Sequence, residues 1–135
     1  MPKIYAHRGG AGYFVENTLK AFEFAVELGC AGAELDVHLT KDGEVVVCYN
    51  DKLNHKFARK ADGNWITPEE ETPHNQLTLE QVQQYTVGEP NPKTHKHRTW
   101  PNLLSEPNQT IPTLAQVMEL VKEKSDSFEL VSVHP

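Results

Sequence analysis

Apolar positions along the chain change period several times, and each change marks an element. Between Thr18 and Gly29 the residues Leu19, Phe22, Ala25 and Val26 recur at helical spacing, predicting an amphipathic helix over roughly 17–29. Asn17 or Thr18 is its candidate N-cap and Gly29 its stop. From Gly32 to Val37 the period becomes that of a strand, with Ala33, Leu35 and Val37 on one face and Glu34 and Asp36 on the other. A short strand over Lys3–Ala6 runs into His7-Arg8 and a permissive loop containing Gly9, Gly10 and Gly12. Lys41-Asp42-Gly43 is a tight-turn signal ahead of a Val-rich strand over Glu44–Tyr49. Thr78-Leu79-Glu80-Gln81 opens a short helix with a capping box. Thr113 to Lys124 reads as a clear helix, with Leu114, Val117, Met118 and Val121 on one face, and Ser127–Val133 as a last strand. Residues 50–76, which include Trp65, and the proline-rich stretch 88–110 have no clean period and read as irregular insertions, the first of them polar. Alternating strands and helices predict an α/β fold with a parallel sheet.

Composition narrows this picture. A chain of 135 residues is one domain at most. Its 38% hydrophobic and 24% charged residues are ordinary for a soluble protein, and the mean hydropathy of −0.57 leans polar. A net charge of −6 argues against a nucleic-acid partner. The one basic cluster, His95-Lys96-His97-Arg98, is short and reads as a solvated loop. An acidic chain that handles a phosphodiester needs a local cation, from arginine or a metal. Cys30 and Cys48 make no disulfide framework and read as small core hydrophobes. No apolar run approaches membrane-spanning length and no secretory leader is visible, so a cytoplasmic location is the expectation.

The chemistry concentrates in the first forty positions. Glu34 and Asp36 place two acids on one strand face, a costly arrangement to bury unless a hard cation such as Mg²⁺ or Ca²⁺ compensates. The alternative is a water-facing side of an edge strand. His7 and Arg8 sit where a strand meets a Gly-rich loop, the end at which α/β folds bind ligands. Arg8 can grip phosphate oxygens and His7 can move a proton, or the pair can be a capped turn. Glu16 is a candidate ligand or an orienting partner for His7, with helix capping as the alternative. His38, two residues beyond Asp36, is a possible further polar group at the site, although a solvent-exposed strand end fits it better. His55, His74, His95 and His97 lie in irregular segments and read as surface residues.

Together, His7-Arg8-Gly9, Glu16-Asn17-Thr18 with Ala21-Phe22, Glu34-Leu35-Asp36-Val37 and Thr40-Lys41-Asp42-Gly43-Glu44-Val45-Val46 resemble the N-terminal half of the glycerophosphodiester phosphodiesterase family. Thr110-Ile111-Pro112-Thr113-Leu114 is similar to the lead-in to that family's third helix. The resemblance implies a (β/α)₈ TIM barrel, of which this chain supplies the first three or four βα units of the eight. It implies Glu34 and Asp36 as ligands of Ca²⁺ or Mg²⁺, Arg8 as phosphate holder and His7 as one of two acid–base histidines. The implied substrate is a small glycerophosphodiester, cleaved to glycerol 3-phosphate and an alcohol such as choline or ethanolamine.

Two positions depart from the pattern. Tyr49-Asn50 stands where the family has its second histidine in a His-Asp pair; His55 follows in the next loop, but its spacing does not favour it. Aligning Leu130–Pro135 on the family's Ile-Glu-Ile-Lys strand puts Ser132 at the third metal ligand and His134 at the lysine, and a shifted frame brings in Glu129. The rival expectation is therefore a remnant that keeps phosphate or metal binding without hydrolysis. A related lipase of the phospholipase D type is more remote, since no apolar, aromatic-rich surface segment is evident. A barrel of this kind takes about 250 residues, so self-association or a missing C-terminal half is expected.

Overall fold

The computed structural model describes residues 2–94 and 104–132. In chain order the elements are β1 (Tyr5–His7), α1 (Leu19–Glu27), β2 (Gly32–Glu34), β3 (Val37–Leu39), β4 (Val45–Val47), two 3₁₀ turns (Pro68–Glu70 and His74–Gln76), α2 (Leu79–Val82), α3 (Leu114–Lys124) and β5 (Glu129–Val131). Strands β1, β2 and β5 form a parallel sheet with β2 in the middle, and β3 and β4 form an antiparallel hairpin. The register sets His7 beside Glu34 and Glu34 beside Val131.

Local chemistry accounts for the helices. Thr18 is the N-cap of α1, its Oγ1 accepting from the Ala21 amide at 3.2 Å, and Gly29 takes the left-handed φ of 82° just beyond the helix end. Ala21, Phe22 and Ala25 form the buried stripe. Helix α3 begins in a capping box between Thr113 and Gln116 and ends with Lys122 and Lys124 near its negative dipole end. Both helices cover one face of the parallel sheet: Phe22, Val117 and Val121 pack with Ala33 and Leu35, and with the half-buried Ala6 and Leu130. The expected α/β order thus holds.

Several expected features differ. The strand predicted over Gly32–Val37 stops at Glu34. Leu35 still donates to the Val131 carbonyl, but the Asp36 carbonyl accepts from the Cys48 amide, so the chain leaves the sheet and pairs anew as β3. Val37 is consequently exposed rather than packed with Ala33 and Leu35. The segment 50–76 is not a polar excursion. It is largely irregular, yet it delivers Leu53, Phe57, Ala58 and Ile66 to a second core with Val15, Val46, Val82, Val87 and Ile111. Met118 is exposed, because the buried stripe of α3 runs through Val117 and Val121 instead. His95, His97 and His134 lie outside the described residues.

Candidate active site

Strand β1 ends at His7, and the chain then turns through two strained residues. Arg8 has φ of 51° and Asn17 φ of 58°, both left-handed without being glycine, and the Asn17 amide donates to the Arg8 carbonyl at 2.8 Å. Such conformations cost on the order of 1–3 kcal/mol each and persist where the surroundings over-determine them. Here the surroundings include Gly9, also at positive φ, where a Cβ would meet Ala21 backbone carbon at 3.0 Å. Only glycine lets the loop lie this close to α1, and that approach brings Glu16 and Asn17 to the carboxyl ends of β1 and β2.

Arg8 is the hub. Its guanidinium pairs with Glu16 at 3.0 Å and lies 3.6 Å from an Asp36 oxygen, while its plane rests over the Tyr49 ring at 3.6 Å. Its backbone amide donates to Glu34 Oε2 at 3.2 Å. The same Glu34 oxygen is 3.8 Å from His7 Nε2, and the His7 ring is largely open to solvent. Asn17 Nδ2 donates to Asp36 Oδ2 at 3.3 Å, so Asn17 serves the site while Thr18 serves the helix. The structure therefore brings together five of the expected residues, His7, Arg8, Glu16, Glu34 and Asp36, and sets Tyr49 against them. His38 does not join the two carboxylates. The hairpin takes it to the Tyr49 carbonyl at 2.9 Å and within 6.2 Å of the His74 ring.

Burial and the nearby Asp36 carboxylate raise the Glu34 carboxyl above its ordinary range. Burial likewise pushes the Cys48 thiol well up, with Asp36 adding to the effect, so it is an inert thiol. Among the described residues, no three of His, Cys, Asp and Glu gather into a metal cluster. Even so, buried Glu34 Oε1, Asp36 Oδ1 and Asn17 Oδ1 lack hydrogen-bond partners. Unpartnered hard oxygens, two of them anionic, are the donor type Mg²⁺ and Ca²⁺ prefer, so these residues fit such an ion. A third carboxylate is not supplied from β5. Val131, rather than Ser132, is the residue in register with Glu34, while Glu129 lies at the opposite end of the strands, bonded to Lys3 and Tyr5.

Two histidines read as surface residues are otherwise placed. His74 is buried. His55 is partly buried and paired to Glu71 at 2.7 Å. No periodicity in 50–76 signalled either one.

Residues 7–131 match the Glycerophosphoryl diester phosphodiesterase family. A glycerophosphodiester phosphodiesterase of Bacillus altitudinis is 36% identical over 125 residues, 93% of this chain and 42% of that protein. Uncharacterized protein YqiK of Bacillus subtilis is 53% identical over 60 residues, 44% of this chain and 25% of its own. A structure from Silicibacter pomeroyi DSS-3, provisionally named a glycerophosphoryl diester phosphodiesterase, superposes with a TM-score of 0.86 at 28% identity, covering 98% of this chain and 47% of that one. An Oleispira antarctica phosphodiesterase solved with the product sn-glycerol-3-phosphate gives a TM-score of 0.69 at 26% identity, covering 98% and 44%. This chain thus spans less than half the length of each of these relatives. With the family match running from His7 through β5, the chain belongs to the glycerophosphoryl diester phosphodiesterase family.

Proposed function

We propose that the protein hydrolyses small glycerophosphodiesters to glycerol 3-phosphate and an alcohol, with Ca²⁺ or Mg²⁺ held by Glu34 and Asp36, and that its elements are the opening units of a (β/α)₈ barrel. One observation carries the reading: an arginine, a histidine and two carboxylates, each with one buried, unpartnered oxygen, meet at the carboxyl ends of β1 and β2. Arg8 presents a forked cation to phosphate oxygens, pre-aimed by Glu16 below and Tyr49 across its face. His7 holds or accepts a proton at Nε2, beside Glu34 Oε2. Asn17 fixes the Asp36 carboxylate by its amide. A bound divalent ion would add charge neutralisation of the phosphate and Lewis-acid polarisation.

Val131 level with Glu34, and tyrosine at position 49, favour a second reading in which the chain binds phosphate or metal without turnover. Glycerol 3-phosphate release from glycerophosphocholine, followed with Ca²⁺, with Mg²⁺ and with chelator, decides between them. The expected result is metal-dependent release, lost in His7→Ala and in Glu34→Ala/Asp36→Ala. Calorimetric metal binding without any release would favour the binding-only reading. Metal binding unchanged in the double variant would overturn the ligand assignment.

A further inference from the structure

Arg8 and Glu16 stand between two openings. On one side they wall a cavity of about 350 Å³ that also holds His7. On the other they wall a cavity of about 310 Å³ shared with Tyr49 and His55. The chain reaches His55 through the irregular segment after β4, and Asn91 anchors the turn by donating from its amide to the His55 carbonyl at 3.1 Å. Glu71 grips the same residue twice: Oε2 accepts from the His55 amide at 2.8 Å and sits 2.7 Å from ring Nδ1. Lys52 occupies the other carboxylate oxygen at 3.4 Å. Although burial pushes the Glu71 carboxyl up, the His55 and Lys52 contacts outweigh it and hold it below its ordinary range. An ionised Glu71 fixes Nδ1 as the N–H end of the ring, and Nε2 has no hydrogen-bond partner among the described residues.

We infer that His55, oriented by Glu71, is the second proton-transfer histidine of the site, facing the phosphate held at Arg8 from the side opposite His7. This rests on the hydrolase reading above and deepens it, because it supplies the group that position 49 lacks. In the step, a water oxygen forms the new bond to phosphorus and its proton passes to His7 Nε2. The bond from phosphorus to the alcohol oxygen breaks, the electron pair stays on that oxygen, and His55, entering the step as the imidazolium with Nδ1–H held on Glu71, delivers its Nε2 proton there. The products are glycerol 3-phosphate and the neutral alcohol, and both histidines return to their starting states by exchange with solvent.

A general acid matters only when the leaving group needs a proton, which separates this role from a structural one. Hydrolysis of glycerophosphocholine would be compared with that of the p-nitrophenyl ester of glycerol 3-phosphate, whose leaving group departs as a stable anion. His55→Gln is expected to slow the choline ester by about 100-fold or more while leaving the nitrophenyl ester within about threefold. Glu71→Gln, made separately, should give a smaller loss with the same selectivity. If the unaltered chain cleaves both esters and either variant slows the two equally, or neither, the assignment of His55 is overturned and the hydrolase reading stands. If the unaltered chain cleaves neither, the hydrolase reading fails and this inference falls with it.

Discussion

His74 is 1% exposed, and neither ring nitrogen has a hydrogen-bond partner in good geometry. Burial, reinforced by the neighbouring His38, lowers its pKa from 6.5 to about 4, against smaller opposing effects from the Asn50 backbone and Asp51. The unfolded chain therefore takes up this proton first as pH falls. Between about 6.5 and about 4 it binds more protons than the folded chain, so stability rises with pH across that window and is lost on acidification. The displacement corresponds to roughly 3 kcal/mol. Urea unfolding at about pH 7 and about pH 4.5 should show this loss, and His74→Leu should remove most of the slope. At this scale His7, Arg8, Glu34 and Asp36 were legible, since a strand's alternation and a glycine-rich loop betray their side. His55 and His74 were not. Their positions depend on distant backbone pairings, Leu53 to Thr72 and His74 to Asp51, that leave no periodic trace.

Helix ends were the most readable elements, because a cap is a local event. In α3 the Thr113 hydroxyl accepts from the Gln116 amide at 3.0 Å while the Gln116 side chain accepts from the Thr113 amide at 2.9 Å. Thr113→Ala should cost about 1 kcal/mol of unfolding free energy. Met118→Lys, on the 53% exposed side of the same helix, should stay within about 0.5 kcal/mol. Equal costs in a denaturant series would contradict the assigned face. The boundary between β2 and β3 was harder, since Gly32–Val37 keeps one alternation throughout. What divides it is a change of partner, from β5 to β4, and partners lie outside any local window.

At the level of the whole molecule, β1 and β5 are the outer strands of the parallel sheet among the described residues. Ile4, Tyr5, Leu39, Tyr49 and Val131 are exposed hydrophobics on or near its strands and the hairpin. Unpaired strand edges with apolar neighbours template association. Sedimentation velocity should show the chain moving from monomer to larger species as concentration rises through the micromolar range, whereas a single monomeric boundary throughout would contradict this. The sheet's middle strand has a further consequence. Gly32 faces Tyr5 on one side and Glu129 on the other, so β2 meets one neighbour from nearby in the chain and one from nearly its far end. The β3–β4 hairpin closes a short loop and can form early, while β5 must wait for α3 and the whole irregular segment to collapse. The platform beneath the carboxylates is therefore completed late in folding, and until then β2 offers newly made chains an unguarded strand.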